Sequence, residues 1–286
     1  QRRAGGGLGM RSLAALYRAA GAWQSRAVLM RHLRVYLRNW YTAFLPPATE
    51  PVVLLFAFGL GLGAHVSGIE IAGSETDYLS YIAPGIIAYT AFMTPFFQAL
   101  FGAFIRMHYQ RTWEGQLTTQ VELPHVIWGE IIWAALLGSV YVAIVCLVLA
   151  VAAFAGMLTI SVPALLLTVP LAFCFGLGFA AVALAFTAWL PTIDHMNLPV
   201  FLVVLPLGFA SNTYFPLPVD RPWVAFLVQC NPLYHLAESN RAMLIGDGLP
   251  WTQLAVGLLE ILVLIAVLLP VIRRKLRRRV LGDADC

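Results

Sequence analysis

The chain has 286 residues, of which 60% are hydrophobic and only 11% charged, with a formal net charge of +4. A soluble domain carries about 25% charged residues, so this composition excludes a protein solvated by water on all sides and points to lipid as the main solvent. The four cysteines, Cys146, Cys174, Cys230 and Cys286, show no CxxC or Cys/His ligand spacing, which argues against a disulfide framework or a zinc site.

The opening "QRRAGGGLGM" lacks the apolar core of a signal peptide. Residues 1–9 read as an upstream extension with Met10 as initiator, and 1–22 as a cytoplasmic N-terminal segment. Next comes "RAVLMRHLRVYLRNWY". Wound as a helix, it puts Leu29, Leu33, Tyr36 and Trp40 on one stripe, and Arg31, Arg34 and Arg38 about half a turn away. That pattern fits an amphipathic helix over 23–43, lying in the inner leaflet with its arginines toward anionic headgroups. The plainer alternative is a basic flank that only sets topology.

A membrane-spanning helix needs about 20 mostly apolar residues. Six runs qualify: Phe44–Gly63, Tyr81–Phe104, Val126–Ala155, Val162–Leu190, Asn197–Phe215 and Trp251–Ile272. They make an all-α polytopic domain over 44–272. Pro170 and Pro206 should bend their spans. Gly59, Gly63 and the "FGLGFAA" of Phe175–Ala181 read as close helix-packing positions, including contacts between two copies. Between the second and third runs lies a polar loop, 105–125. Between the fifth and sixth, 211–248 alternates prolines with apolar pieces too short to span, as short re-entrant helices would. A basic tail covers 273–286.

Sixteen of the eighteen Lys and Arg residues fall on one side of a six-span layout; only Arg221 and Arg241 fall on the other. The positive-inside rule then places both termini and the 105–125 loop in the cytoplasm. An odd number of spans would separate the basic N-terminus from the basic tail.

Catalytic constellations are missing from the sequence. The single lysine, Lys275, sits in "IRRKLRRR" and cannot belong to a phosphate-binding loop, which needs a glycine-rich turn before it. Asp194-His195 lies in a short turn, where Asp194 reads as a helix N-cap. Of the acids in or near spans, Glu50 and Glu130 sit near helix starts, where the helix dipole and nearby arginines can satisfy them. Glu260 lies deeper and stands as a functional candidate. Neither a catalytic residue nor a metal ligand is assigned.

Two stretches carry a resemblance. "FIRMHYQRTWEGQLTTQVELPHVIWGEIIWAA" and "SNTYFPLPVDRPWVAFLVQCNPLYHLAESNRAML" resemble the type-2 family of ABC transporter permeases, and the first is closest in wording to nodulation-type lipo-oligosaccharide export permeases. Where the family has "SG", this chain has Ser211-Asn212. The resemblance implies a coupling helix that docks on a separate ATPase, with His108, Gln110, Arg111, Thr112, Trp113 and Glu114 as the contact patch. Trp113 is expected to be an exposed anchor there, and Gly115 to relax or end the helix. Arg31, Arg34, Arg38 and Trp40 would belong to a connecting helix beside it. Phe215, Pro216, Asn231, Pro232, Glu238 and Arg241 make the external motif. Tyr89, Phe92, Phe96, Phe97 and Glu260 are candidates for the translocation path, with simple packing as the alternative for the aromatics.

The same resemblance implies a homodimer of this permease with two ATPase subunits in the bacterial inner membrane. ATP and Mg would reside on the partner, and no nucleic acid is involved. The expected cargo is a lipid-linked or amphipathic glycan. The alternatives are a multidrug exporter permease and, from another class, a membrane enzyme acting on lipid-linked sugars.

Overall fold

A computed structural model describes residues 10–39, 41, 49, 53, 57, 69–71, 74–217, 221–246 and 248–282. The run Phe44–Gly63, together with Trp40 and Glu50, lies outside the described residues or is touched by them only at isolated positions. The elements in order are α1 (Met10–Arg18), α2 (Trp23–Arg38), strands β1 (Ile69–Ile71) and β2 (Ser74–Thr76), α3 (Tyr78–Tyr109), α4 (Thr112–Leu117), α5 (Leu123–Phe154), α6 (Val162–Trp189), α7 (Asp194–Phe209), α8 (Pro222–Gln229), α9 (Pro232–Leu244) and α10 (Trp251–Leu281). The all-α expectation gains one small exception: β1 and β2 pair antiparallel, with Glu70 opposite Glu75.

Among the described residues, four helices, α3, α5, α6 and α10, are long and apolar enough to cross a membrane. Each matches an expected run, with ends shifted by up to five residues in α3, α5 and α6 and by nine at the C-terminal end of α10. The fifth run does not reach its expected end. Helix α7 starts at Asp194 and stops at Phe209, giving about 24 Å of rise against a hydrocarbon core of about 30 Å. Asp194 stands in the first turn of α7 and caps nothing with its side chain.

Helix α3 spans about 48 Å at the α-helical rise, so it outruns the hydrocarbon core. Pro84 and Pro95 lie inside it, and π-helical turns follow at Gln98–Gly102 and Ile105–Tyr109. The first turn loosens the carbonyls of Ala99 and Leu100, and the Thr187 hydroxyl stands 2.9 and 3.1 Å from them. Such replacement of helix bonds by a neighbouring hydroxyl is what lets irregular helix persist inside lipid.

Helices α3, α5, α6 and α10 pack around a core that includes Phe92, Phe96, Phe104, Phe175 and Phe179. In α6, a Cβ on Gly178 would fall 2.5 Å from Ile261 of α10, and one on Gly176 would crowd Pro95 and Ala135. These glycines therefore serve close packing within one protomer. Helix α10 keeps one side in the core through Ile261, Leu269, Ile272 and Leu276, and exposes Leu259, Leu262, Val263 and Val267, as a lipid-facing helix should.

The basic stretch after the last expected span is helical as well. Helix α10 runs on through Arg273–Arg279 without a break. Arg279 then donates to the carbonyls of Thr187 (2.8 Å) and Pro191 (3.1 Å) at the C-terminal end of α6. A cation placed there satisfies last-turn carbonyls and opposes the negative end of the helix dipole.

Candidate functional site: a buried carboxylate beneath the polar turn

The polar stretch between α3 and α5 is mostly helix. Arg106 and His108 belong to the last turns of α3. The chain then breaks at Arg111, whose φ of 48° is left-handed. The Thr112 hydroxyl donates back to the Arg106 carbonyl (3.1 Å), which gives the frayed end of α3 a partner. Gly115, expected to relax the helix, lies within α4 and faces open space; the turn is made at Arg111 instead.

Helix α4 has two faces. Arg111, Glu114, Gly115 and Thr118 recur every three or four residues and are exposed, with His108 and Gln110 beside them; Thr112 is half-buried. Trp113 faces the other way. It is fully buried, so the expectation of an exposed tryptophan anchor is corrected. Its indole N–H donates to Glu130 Oε1 at 2.9 Å.

Glu130 is the centre of the arrangement. It is fully buried on α5, eight residues into the helix, beyond the first-turn N–H groups that the helix dipole offers. Arg106 supplies the charge partner: its Nε lies 3.0 Å from both carboxylate oxygens, and its Nη2 also bonds Oε2. A two-pronged guanidinium–carboxylate pair of this kind is strong and geometrically specific. His32 Nε2, from α2, stands 3.3 Å from Oε1; no aligned hydrogen bond accompanies that contact. One carboxylate thus joins α2, α3, α4 and α5.

Packing supports the polar cluster. The His32 ring stacks on Trp133 with centroids 5.7 Å apart, and Tyr36 meets the same indole edge-on. Burial pushes the Tyr36 phenol above its ordinary range, against a weaker lowering by its bond to Tyr141, so it stays a neutral hydroxyl. A Cβ at Gly129 would come within 2.5 Å of Val28, so only glycine lets α2 lie this close to α5. A polar recess of about 270 Å³, lined in part by Arg31, His32, Gln98, Arg106 and Trp133, opens beside the cluster.

This packing rotates α2 from its expected pose. The deepest residues are Ser25, Val28 and His32, while Leu29, Leu33 and Tyr36 are half-buried. Arg34 and Arg38 are exposed and Arg31 is half-buried. The position of Glu130 near a helix start implies arginine partners only in general terms; His32, Trp133 and Gln98 are not evident from the sequence. Their one signal was a histidine at helical spacing from Ser25 and Val28 in an otherwise arginine-rich helix.

The external-motif residues form a second constellation. Asn231 caps α9 by accepting from the Leu233 N–H (3.0 Å), and its amide donates to the carbonyls of Leu207 (3.0 Å) and Ala210 (2.9 Å). Arg241 pairs with Glu238, donates to the Asn212 carbonyl (2.8 Å), and lies 4.1 Å from the centroid of the Tyr81 ring. Asn212 adopts a φ of 54°, a left-handed value that asparagine tolerates and glycine prefers; hence "SN" fills a position where "SG" is usual. Phe215 and Pro216 are exposed and outside this network, and Pro232 is buried at the first turn of α9. Of the path candidates, Phe92 and Phe96 are fully buried, and Tyr89, Phe97 and Glu260 are partly exposed.

A model of the family described as ABC-2 type transporter matches residues 24–245, a stretch that takes in both constellations. Nodulation protein J of Rhizobium leguminosarum bv. viciae is 31% identical over 263 residues, covering 91% of this chain and 97% of that protein. Nodulation protein J of Bradyrhizobium diazoefficiens is 30% identical over 243 residues, covering 84% and 88%. The putative transport permease ycf38 of Cyanophora paradoxa is 23% identical over 226 residues, covering 76% and 73%. Permeases of this family imply an ABC ATPase as partner. With four helices fit to cross a membrane and a family match over most of its length, this chain belongs to the ABC-2 type transporter family, as a multi-pass membrane permease.

Proposed function

We propose that the chain is the permease subunit of an ATP-driven exporter. It moves a lipid-linked or amphipathic glycan outward across a bacterial cytoplasmic membrane. Two copies pair with each other and with two ATPase subunits, which hold ATP and Mg; this chain carries out no covalent chemistry. The observation that carries the reading is α4, a six-residue helix pinned from below through Trp113 to Glu130. Its outer stripe, Arg111, Glu114 and Thr118, stays free of the body of the protomer. A surface helix held on its inner face by a buried ion pair moves with α2, α3 and α5 rather than alone. A push on the outer stripe is therefore delivered to the helices that enclose the path. Resemblance to lipo-oligosaccharide export permeases, and the relatives called nodulation protein J, support the choice of cargo.

With its ATPase in proteoliposomes, ATP turnover should rise severalfold on adding lipid-linked oligosaccharide and stay flat with the same oligosaccharide lacking its lipid. An equal response to both would remove the amphipathic-substrate reading.

Orientation has its own test. In a background without native cysteines, thiols placed at Ser74 and Gly248 should react with an impermeant maleimide from outside intact cells. Thiols at Thr118 and Gly282 should be silent until the membrane is opened, and the reverse pattern would place α4 on the wrong side for an ATPase.

A further inference from the structure

A half-open cavity of about 380 Å³ indents the protomer, away from the Glu130 cluster. Its wall includes Phe92 and Phe96 of α3, Phe179 of α6, and Val203 and Leu207 of α7. Cys230 and Pro232, at the junction of α8 and α9, also border it. Its size falls in the range of about 300–1,000 Å³ typical of small-ligand sites. One carboxylate interrupts the apolar lining, that of Glu260 of α10.

The two oxygens of Glu260 are served unequally. Oε1 lies 3.6 Å from His235 Nε2. Oε2 is buried and has no hydrogen-bond partner among the described residues. His235 is itself fixed, with Nε2 2.8 Å from the Gln229 carbonyl and Nδ1 2.7 Å from Gln253 Oε1. Burial alone would lower the basicity of that ring, but its bonds to Glu260, Gln229 and Gln253 outweigh burial and raise it above the ordinary histidine range. Both ring nitrogens face oxygen acceptors, an arrangement that a doubly protonated, cationic ring satisfies beside the carboxylate. What Oε2 lacks is a hydrogen-bond donor. A buried acceptor left unpaired is costly, and a polar group in an otherwise apolar pocket is the feature that orients a ligand.

We infer that this cavity is a binding site for a neutral amphiphile. The apolar tail packs against Val203, Leu207 and the wall of Phe92, Phe96 and Phe179, and a head-group O–H or N–H donates to the partly exposed Glu260 carboxylate. A protonated amine would lose more hydration on entering this lining than a neutral donor, and His235 already supplies the positive charge.

Cys230 provides the readout, because it borders the cavity and is a free, exposed thiol, and exposed Cys174 on α6 serves as an internal reference. The permease–ATPase complex would be alkylated with N-ethylmaleimide in the presence of dodecan-1-ol or of dodecyl methyl ether, which has a matching chain and no donor. Dodecan-1-ol should protect Cys230 at about tenfold lower concentration than the ether, the margin expected for one hydrogen bond to a charged acceptor. Labelling at Cys174 should not change. Glu260→Leu should reduce the ratio to near one. Val203→Trp leaves Glu260 and His235 in place and should abolish protection by both probes.

Equal protection by the two probes in the native chain would overturn the inference. So would a tenfold ratio that survives Glu260→Leu, or protection that survives Val203→Trp. Occupancy is measured without transport, so failure here leaves the export reading standing.

Discussion

Glu130→Ala should be the most damaging single substitution in the cytoplasmic half of the proposed topology. It leaves the largely buried Arg106 without its carboxylate and takes the acceptor from the Trp113 indole. Removing one partner of a buried ion pair costs about 3–5 kcal/mol, because the remaining charge keeps its desolvation penalty and loses its compensation. Glu130→Gln keeps the shape and an acceptor but loses the charge, so it should fall between Ala and the native residue. Thermal unfolding of the purified protein should rank native above Gln above Ala. An Ala variant as stable as the native chain would mean that the pair contributes nothing to holding the four helices. Full replacement of both Arg106 and Glu130 by apolar residues of similar volume should recover part of the lost stability while uncoupling ATP turnover from transport, since buried pairs are often matched in stability by hydrophobic packing.

Trp113→Ala should have the second largest effect, for a reason that differs from an interface truncation. The side chain is fully buried, so its loss opens a cavity, with a cost of about 3–5 kcal/mol typical of Trp→Ala in a core. The loss is concentrated where α4 rests on α5. Trp113→Phe restores most of the packing and removes only the N–H···carboxylate bond, worth about 1.5–3 kcal/mol to a charged acceptor. Limited proteolysis across 105–125 reads this directly: cleavage should accelerate strongly in the Ala variant and modestly in the Phe variant. If cutting is unchanged in the Ala variant while ATPase binding is lost, Trp113 acts as a surface contact after all.

The reach of the sequence can be judged from these same residues. The four long helices were legible because a span must be apolar for about 20 residues, a pattern that side-chain chemistry alone imposes. The pairing of Glu130 with arginine was legible in outline, since an acid in a membrane helix requires a partner. The pose of Trp113 was not. A six-residue helix with one aromatic offers no repeat from which to tell its inner face from its outer one, and exposure was inferred from residue type. Helix α7 ends six residues before the expected end at Phe215 because Asn231 draws the carbonyls of Leu207 and Ala210 toward α9, a tertiary bond that hydropathy cannot show. The charge of the tail speaks only to topology; the bonds that hold Arg279 go to the carbonyls of Thr187 in α6 and of Pro191 just beyond it, 92 and 88 residues away in sequence.

The central claim is that the outer stripe of α4 docks an ATPase. Arg111→Glu together with Glu114→Arg reverses two exposed charges and touches none of the buried cluster, so thermal stability and membrane insertion should match the native chain. Like charges brought together at an interface oppose association strongly. Co-purification of the ATPase with the tagged double variant is the direct measurement: the ATPase should be lost while the permease remains folded. Retention of the ATPase at native stoichiometry, with native transport, would contradict the account.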